Sequence, residues 1–206
     1  MAYHSYKLYY FNMRGRAEPA RFLFHLAGVP YEDVRIEHAD WPKHKEEMPW
    51  GQLPVLEVDG KKLAQSAAIY QFLAKQFGYN GKSDWETAQV QELLGSIDDI
   101  FSAMGPVFRT QDEAEKKKLM EKIVADTVIP YLTRLQKRFE ANGTDYFVGN
   151  SLTVADLLFM VTFAAFKERF APGVIEKFPK LDAFVAKVSQ EPKIKEWIEK
   201  RPKTDM

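Results

Sequence analysis

The apolar positions near the start of the chain alternate between the spacing of strands and the spacing of helices. Residues 7–11 form a short, aromatic-rich run, which favours a strand. From Ala17 onward the apolar side chains keep helical spacing, with Pro19 in the first turn, until Gly28 ends the helix. Residues 31–36 form the next strand candidate. A strand, a helix and a strand in this order indicate an α/β unit.

The rest of this unit is predicted to be a hairpin followed by a helix. Residues 55–58 and 61–64 flank Asp59-Gly60, a pair that tight hairpin turns favour because both residues tolerate a positive φ. The polar segment before the hairpin has room for at most one helical turn. Residues 66–78 then keep helical apolar spacing. The predicted order of elements is therefore β-α-β-(α)-β-β-α.

In the second part of the chain the apolar spacing is helical throughout. A capping-box pair opens a long amphipathic helix near residue 83. Residues 112–139 are helical in pattern, although Pro130 should kink or break this helix. Thr153 and Asp156 form a second capping box, and the run after them is apolar on nearly every face, which predicts a buried helix. Shorter helices are expected at residues 181–188 and 194–198.

These two patterns predict two domains in a chain of 206 residues. An α/β domain covers residues 1–80, and an all-helical domain covers residues 81–206, with a short linker around Asn80-Gly81. The hydrophobic fraction of 46% is sufficient to build a core in each.

Charge and cysteine content change the expected partners and chemistry. Lys plus Arg and Asp plus Glu each number 29, so no net charge attracts a nucleic acid or an anionic membrane. No apolar run is long enough for a membrane span, and the first residues lack the layout of a secretory signal, which predicts a cytoplasmic protein. The histidines lack metal-ligand spacing, so we expect no metal. Because the chain has no cysteine, any thiol chemistry must use the thiol of a substrate.

Polar and aromatic residues are concentrated at three places in the α/β part. Tyr10 lies at a strand end and precedes a loop rich in donors, Pro54 precedes a strand, and Ser66 opens a helix. The carboxyl ends of strands and the amino ends of helices expose unpaired groups, so such places bind ligands, and a helix amino end favours an anion. Each signal is weak alone, since a strand Tyr is usually packed and a Ser before a helix is usually a cap. The phosphate-loop, dinucleotide and serine-hydrolase motifs are absent from the sequence.

Taken together and in this order, five motifs resemble those of the soluble glutathione transferases. The resemblance is strongest to the sigma class, which includes the haematopoietic prostaglandin D synthases and invertebrate, nematode-type members, and it covers nearly the whole chain. The motifs are Tyr10 to Glu18, Ala39 to Pro42, Leu53 to Gly60, Gln65-Ser66, and Thr153 to Asp156. The resemblance implies a thioredoxin-like domain, an all-helical domain that contributes the electrophile pocket, and a homodimer.

The resemblance also assigns a glutathione site. Tyr10 would be the catalytic residue, its hydroxyl donating a hydrogen bond to the glutathione sulfur and stabilising the thiolate, with Arg16 as a nearby positive charge. Asp99 of the partner subunit would meet the γ-glutamyl ammonium, so the site would depend on the dimer. The other contacts would be Trp41, Lys45 and Gln52 at the glycine end, the Leu53 backbone and Pro54 in cis at the cysteine, Gln65 and Ser66 at the γ-glutamyl carboxylate, and Phe11.

The implied reaction is conjugation of glutathione to hydrophobic electrophiles, with reduction of organic hydroperoxides as a second activity. Three alternatives stay open: a glutathione-dependent prostaglandin D isomerase, a non-catalytic carrier of haem or other hydrophobic ligands, and a lens-type structural protein. The isomerase is weakened because Pro106, Leu158 and Thr162 stand where the prostaglandin D synthases have Trp, Tyr and Cys. The residues expected to line the electrophile pocket are Met13, Arg14, Phe101, Met104, Phe108 and Leu158.

Overall fold

The computed structural model describes residues 4–204 and divides the chain into two compact units. The first unit runs to Asn80 and also includes the segment from Gln190 onward. The second unit runs from Gly81 to Ser189.

The first unit is built on a four-stranded sheet with the strand order β2-β1-β3-β4. β1 is parallel to β2 and antiparallel to β3, and β3 is antiparallel to β4. This mixed sheet has the thioredoxin-like arrangement, and the predicted order of elements is confirmed. The elements are β1 (Tyr6–Phe11), α1 (Glu18–Ala27), β2 (Glu32–Ile36), α2 (Trp41–His44), β3 (Val55–Val58), β4 (Lys61–Ala64) and α3 (Ser66–Phe77).

The core of this unit follows from the alternation of strand side chains. On β1, Leu8 and Tyr10 are buried, while the residues between and after them are part-exposed. α1 contacts the sheet through Phe24, whose ring packs on that of Tyr6 with a centroid distance of 5.2 Å, and Phe22 and Leu23 are also fully buried. The hairpin turn has the predicted geometry, since Asp59 has a φ of 50°. Tyr10 thereby occupies a buried position one residue before the end of β1.

The second unit is helical in each of its regular elements between Gly81 and Ser189. Its helices are α4 (Asp84–Ala103), α5 (Gly105–Arg109), α6 (Glu113–Ile123), α7 (Ile129–Asn142), α8 (Val154–Ala165) and α9 (Pro179–Ser189). The core of the unit is aromatic, with Phe147 packed against Phe139, Phe159 and Phe184 at centroid distances of 4.4 to 4.9 Å.

α8 begins at the predicted capping box and is buried along most of its length. The Thr153 N–H and hydroxyl both donate to Asp156 Oδ2 at 2.7 Å. The other carboxylate oxygen accepts the Phe147 N–H at 2.8 Å. These bonds tie the loop before α8 to the first turn of the helix.

The helix predicted over residues 112–139 is interrupted before Pro130 rather than at it. Val124–Val128 forms a π-helical turn between α6 and α7, and Pro130 lies in the first turn of α7. The Ile129 N–H donates to the carbonyl of Val124, five residues back. The wider turn therefore lies just before Pro130, which has no N–H to donate. The chain stays helical on both sides of the turn.

The last helix is α10 (Pro192–Lys200), which belongs to the first unit. The compact units therefore differ from the predicted domains in this segment, because α10 packs on α1. The Lys193 ammonium donates to the Leu26 carbonyl at 2.9 Å, and the Trp197 ring meets the edge of Phe22. None of the helices within residues 4–204 combines the length and the apolar content needed to cross a bilayer.

Candidate active site

The Tyr10 hydroxyl lies where β1 leads into the following loop. The side chain is 7% exposed, and its Oη accepts a hydrogen bond from the Arg16 N–H at 3.2 Å. Because the oxygen uses a lone pair for this bond, the hydroxyl proton remains free to be donated to another acceptor. The predicted catalytic pair, Tyr10 and Arg16, is thus in direct contact, through the Arg16 backbone.

Gly15 allows the loop to approach the phenol this closely. Its φ is +42°, a value that residues with a side chain rarely adopt. A Cβ at this position would lie 2.7 Å from Tyr10 Oη. The sequence indicates a glycine loop here, but the contact between the glycine and the phenol depends on the fold and was not predicted.

The phenol is held as a neutral hydrogen-bond donor. Burial raises the pKa of Tyr10 above its ordinary value, while the Arg16 N–H and the positive charges of Arg16 and Arg21 oppose the shift. The group therefore keeps its proton at neutral pH. A buried neutral donor next to positive charge favours an anionic acceptor.

Two side chains outside the predicted site fix the loop that follows Tyr10. The Tyr70 hydroxyl on α3 donates to the carbonyl of Arg16. Arg21 Nη1 on α1 donates to the carbonyl of Met13 at 2.7 Å and more weakly to that of Arg14 at 3.3 Å.

Sequence reasoning missed both of these residues. Arg21 follows Glu18 by three residues in an otherwise apolar helix, and that spacing is a signal for a buried ion pair that could have been used. Tyr70 gives no such signal, because an aromatic residue at a helical core position is ordinary.

Aromatic rings surround the end of β1. Phe11 stacks on His38 with a centroid distance of 4.3 Å and meets Trp41 edge-on at 5.6 Å. Trp41 also packs on the small apolar cluster around Met48 and Val55. The first unit therefore places Phe11 in contact with both Tyr10 and Trp41, three of the residues that the family resemblance assigns to the glutathione site.

Lys45 and Gln52 lie on the connection from α2 to β3, and both are exposed. Gly51, with a φ of +56°, passes beside the Lys45 stem, since a Cβ there would lie 3.3 Å from Lys45 Cε. The next segment contains the Leu53-Pro54 peptide bond, which is cis. Leu53 packs on the same apolar cluster as Trp41.

The amino end of α3 begins at a residue with an unusual backbone conformation. Gln65 has a φ of 73°, an unusual value for a residue with a long side chain, and Ser66 is 8% exposed at the first position of the helix. Strain of this kind persists where the surrounding structure requires it, commonly at ligand sites. The first N–H groups of a helix have no partner within the helix and attract negative charge.

The remaining predicted residues fall into the two units separately. Met13 and Arg14 lie in the loop after β1, in the first unit. In the second unit, Asp99 is exposed on α4, and Phe108 on α5 is 55% exposed with its ring edge-on to Phe170. Phe101 is part-exposed, whereas Met104 and Leu158 are buried, at 1% and 3% exposure.

The fold and the site together define a class of protein: a thioredoxin-like sheet unit with a phenol at the end of its first strand, followed by a helical unit. Within residues 4–204, no three His, Asp or Glu side chains are grouped in a way that could hold a metal ion.

Comparisons with known proteins agree with this class. The family model "Glutathione S-transferase, N-terminal domain" matches residues 6–75, and "Glutathione S-transferase, C-terminal domain" matches residues 98–201. Glutathione S-transferase 1 of Ascaris suum is 41% identical over 202 residues, which cover 97% of this chain and 98% of that protein. Hematopoietic prostaglandin D synthase of Gallus gallus is 40% identical over 205 residues, with coverages of 97% and 98%.

A solved structure shows the same fold. Monomeric Na-GST-3, a glutathione S-transferase from the hookworm Necator americanus, superposes with a TM-score of 0.88 at 41% identity, covering 98% of this chain and 100% of that one. The chain belongs to the glutathione S-transferase family, and its relatives are consistent with the sigma-like member indicated by the sequence.

Proposed function

We propose that this chain binds glutathione and ionises its thiol with the Tyr10 hydroxyl, so that the thiolate attacks hydrophobic electrophiles. Membership of the glutathione S-transferase family supports the use of glutathione as co-substrate. The observation that carries the mechanism is the buried phenol, which accepts the Arg16 N–H and keeps its own proton to donate. The chain has no cysteine, so the reacting sulfur belongs to the substrate.

The strength of one hydrogen bond is sufficient for this task. A free thiol has a pKa of about 8.5 and is mostly protonated at neutral pH. A hydrogen bond to a charged acceptor contributes about 1.5 to 3 kcal/mol, and one pKa unit corresponds to about 1.4 kcal/mol. Donation from Tyr10 would therefore lower the thiol pKa by about one to two units. A shift of about two units would leave most of the bound glutathione as thiolate at neutral pH.

The residues around Tyr10 fit a tripeptide that carries a carboxylate at each end. The amino end of α3, with Gln65 and Ser66, would hold the γ-glutamyl carboxylate. The Leu53 backbone beside Pro54 would pair with the cysteinyl backbone as an added strand does. Lys45 would pair with the glycine carboxylate, with Trp41 and Gln52 beside it. Asp99 of the partner subunit would pair with the γ-glutamyl ammonium.

In the reaction the sulfur lone pair forms a bond to an electrophilic carbon, and the leaving group departs with its own electron pair. The thiol proton is released to solvent when glutathione binds, before this step. Arg16, with its charge near the phenol, would favour the anionic sulfur. For the electrophile we propose contacts with exposed apolar side chains of the second unit, in particular Phe108 and the part-exposed Phe101. Contacts of this kind have little directionality, so we expect a broad range of substrates.

A second candidate function is prostaglandin D isomerisation with the same thiolate. It is favoured by the 40% identity to the prostaglandin D synthase of Gallus gallus. It is disfavoured by Pro106, Leu158 and Thr162, which depart from the residues of those enzymes. Comparing turnover of a prostaglandin endoperoxide with turnover of chlorodinitrobenzene distinguishes the two functions.

At the level of the whole molecule, we propose a cytoplasmic homodimer that acts in detoxification. Residues 1–80 would form the glutathione-binding domain and residues 81–206 the helical domain that binds the electrophile. The dimer is required by the role proposed for Asp99.

The kinetic test compares Tyr10→Phe with Tyr9→Phe, using chlorodinitrobenzene and saturating glutathione. Tyr9 is the matched control, because it is the neighbouring tyrosine and its hydroxyl donates to Glu57 at 3.0 Å instead. We expect kcat of Tyr10→Phe to fall by about tenfold to hundredfold, from the loss of one charge-assisted hydrogen bond, with KM for glutathione little changed. Tyr9→Phe should retain the wild-type kcat. Equal rates for Tyr10→Phe and the wild type would refute the assignment.

A further inference from the structure

A buried ion pair lies next to the loop that contacts Tyr10. Arg21 on α1 is fully buried, and Glu18 on the same helix is 1% exposed. Arg21 Nη1 donates to Glu18 Oε2 at 3.1 Å, and Arg21 Nε donates to Asp33 at 3.1 Å. Burying two charges is costly unless each finds hydrogen-bond partners, so this pair needs a specific set of neighbours.

One set of neighbours belongs to the loop from Met13 to Arg16, which follows Tyr10. Arg21 Nη1, the atom that binds Glu18, also donates to the Met13 carbonyl at 2.7 Å. Two peptide units further along the loop is the Arg16 N–H that donates to Tyr10 Oη. The Arg21 guanidinium therefore holds the start of this loop, while Tyr70 holds the Arg16 carbonyl, and the loop provides the donor that the phenol accepts.

The other set of neighbours comes from the far end of the chain. Glu18 Oε1 accepts the Trp197 indole N–H at 2.8 Å and Arg201 Nη1 at 3.0 Å. Trp197 is on α10, and Arg201 follows that helix directly. The carboxylate of Glu18 thus receives Arg21 through one oxygen and the C-terminal segment through the other.

We propose that Trp197 and Arg201 are positioning residues for catalysis: they fix Glu18, which fixes Arg21 and the loop from Met13 to Arg16 against the Tyr10 hydroxyl. The proposal rests on the function proposed above for Tyr10. It gives the segment after Gln190 a role in thiol activation, although none of its residues needs to touch glutathione.

Electrostatics supports the same conclusion. The Arg16 N–H and the charges of Arg16 and Arg21 all lower the pKa of Tyr10, against the effect of burial. A more acidic phenol is a stronger donor to a thiolate. If the loop or Arg21 moves away, the phenol loses these contributions and stabilises the thiolate less.

The test measures the pKa of the bound glutathione thiol by ultraviolet absorbance in Trp197→Phe and Arg201→Gln. Trp197→Phe keeps an aromatic ring beside Phe22 and removes the N–H donor together with part of the indole ring. We expect the bound thiol pKa to rise by about half a unit to one unit in each variant, with a fall of about twofold to sevenfold in the thiolate fraction, and so in kcat/KM, at neutral pH. The dissociation constant of glutathione should stay within about twofold of the wild-type value, because the groups proposed to bind the two ends and the cysteinyl backbone of the tripeptide lie outside this network.

Two variants serve as matched controls. Trp85→Phe changes a tryptophan that is 73% exposed. Lys200→Gln removes a charge one residue before Arg201, where the ammonium pairs with Glu196 at 3.0 Å. Both should titrate like the wild type. Arg201→Lys, which retains a donor and the charge, should recover part of the shift seen in Arg201→Gln.

The outcomes separate this inference from the function it rests on. If wild-type bound glutathione shows no thiolate near neutral pH, or Tyr10→Phe leaves its titration unchanged, the proposed function fails. If Tyr10→Phe raises the thiol pKa but Trp197→Phe and Arg201→Gln titrate like the wild type, the network has only a structural role and the inference is overturned. Trp197→Phe is the milder change and keeps the test valid if Arg201→Gln does not fold.

Discussion

In the proposed mechanism the Tyr10 hydroxyl accepts one hydrogen bond and donates another. It accepts the Arg16 N–H at 3.2 Å, and its own proton would be donated to the glutathione sulfur. Gly15 makes this arrangement possible because the loop backbone passes directly over the phenol. At this scale the site depends as much on the absence of one Cβ as on the presence of the tyrosine.

Gly15→Ala should therefore reduce activity by displacing the loop. The new Cβ would lie 2.7 Å from Tyr10 Oη, closer than any tolerated contact, so the Arg16 N–H must move. We expect kcat to fall by about tenfold or more, because small misplacements at a reacting group have large kinetic effects.

Gly28→Ala is the matched control for Gly15→Ala. Gly28 also has a positive φ, +65°, but a Cβ there meets nothing within 4 Å. Both variants should lose about 1 to 2 kcal/mol of unfolding free energy from backbone strain, and only Gly15→Ala should lose kcat. If both variants lose activity in proportion to stability, the close approach to Tyr10 has no catalytic meaning.

Among the elements, α8 begins at a capping box whose carboxylate, that of Asp156, is buried in the folded protein. Asp156 accepts hydrogen bonds from Thr153 and Phe147, yet burial raises its pKa to about 6. The folded state therefore holds this proton more tightly than the unfolded state, in which the pKa is near 3.8. The tighter proton binding of Asp156 therefore stabilises the folded state fully below about pH 3.8. This stabilisation is lost as the pH rises through about 6.

Asp156→Asn should remove this pH dependence. We expect the unfolding free energy of the wild type, relative to the variant, to fall by roughly 2 kcal/mol between about pH 4 and about pH 7, from a shift of about two pKa units. Urea unfolding of both proteins at a series of pH values measures this difference in unfolding free energy. A difference that instead grows with pH would show that the hydrogen bonds outweigh burial and keep the carboxylate ionised.

The sequence predicts elements better than it predicts contacts between distant elements. Periodicity and turn chemistry determine the strands, the Asp59-Gly60 hairpin and the α8 capping box, because each depends on residues within a few positions. The π-helical turn before Pro130 was not predicted, since the proline shows that a hydrogen bond is lost but not how the helix accommodates it.

The same limit applies to the candidate site. Phe11 contacts both Tyr10 and Trp41, because β1 and β2 are parallel neighbours and the end of β1 therefore lies near the segment that follows β2. The Glu18 partner Trp197 is 179 residues away, and no local pattern in the sequence connects the two. The resemblance to a family supplied site residues, but Gly15, Tyr70 and Arg21 became visible only from atomic contacts.

For the whole molecule, the proposed dimer makes a prediction that a monomer cannot satisfy. Asp99 is exposed on α4, and its proposed role is to meet the glutathione held by the other subunit. Asp99→Asn should raise KM for glutathione by roughly threefold to fivefold, as expected for one exposed ion pair, with kcat nearly unchanged.

Mixed dimers provide the sharper version of this test. A dimer of one Tyr10→Phe subunit and one Asp99→Asn subunit contains one site with both changes and one site with neither. Refolding the two variants together should therefore produce mixed dimers in which one of the two sites is unchanged. That site should have the wild-type activity and the wild-type KM for glutathione. Activity equal to the average of the two separate variants would contradict a role for Asp99 across the interface.

The most direct test of the whole account is an ultraviolet titration of glutathione bound to the wild type and to Tyr10→Phe. The account predicts thiolate absorbance near neutral pH in the wild type, and a titration shifted upward by about one to two pKa units in the variant, with the tripeptide still bound. If the two proteins titrate at the same pH, the Tyr10 hydroxyl does not stabilise the sulfur.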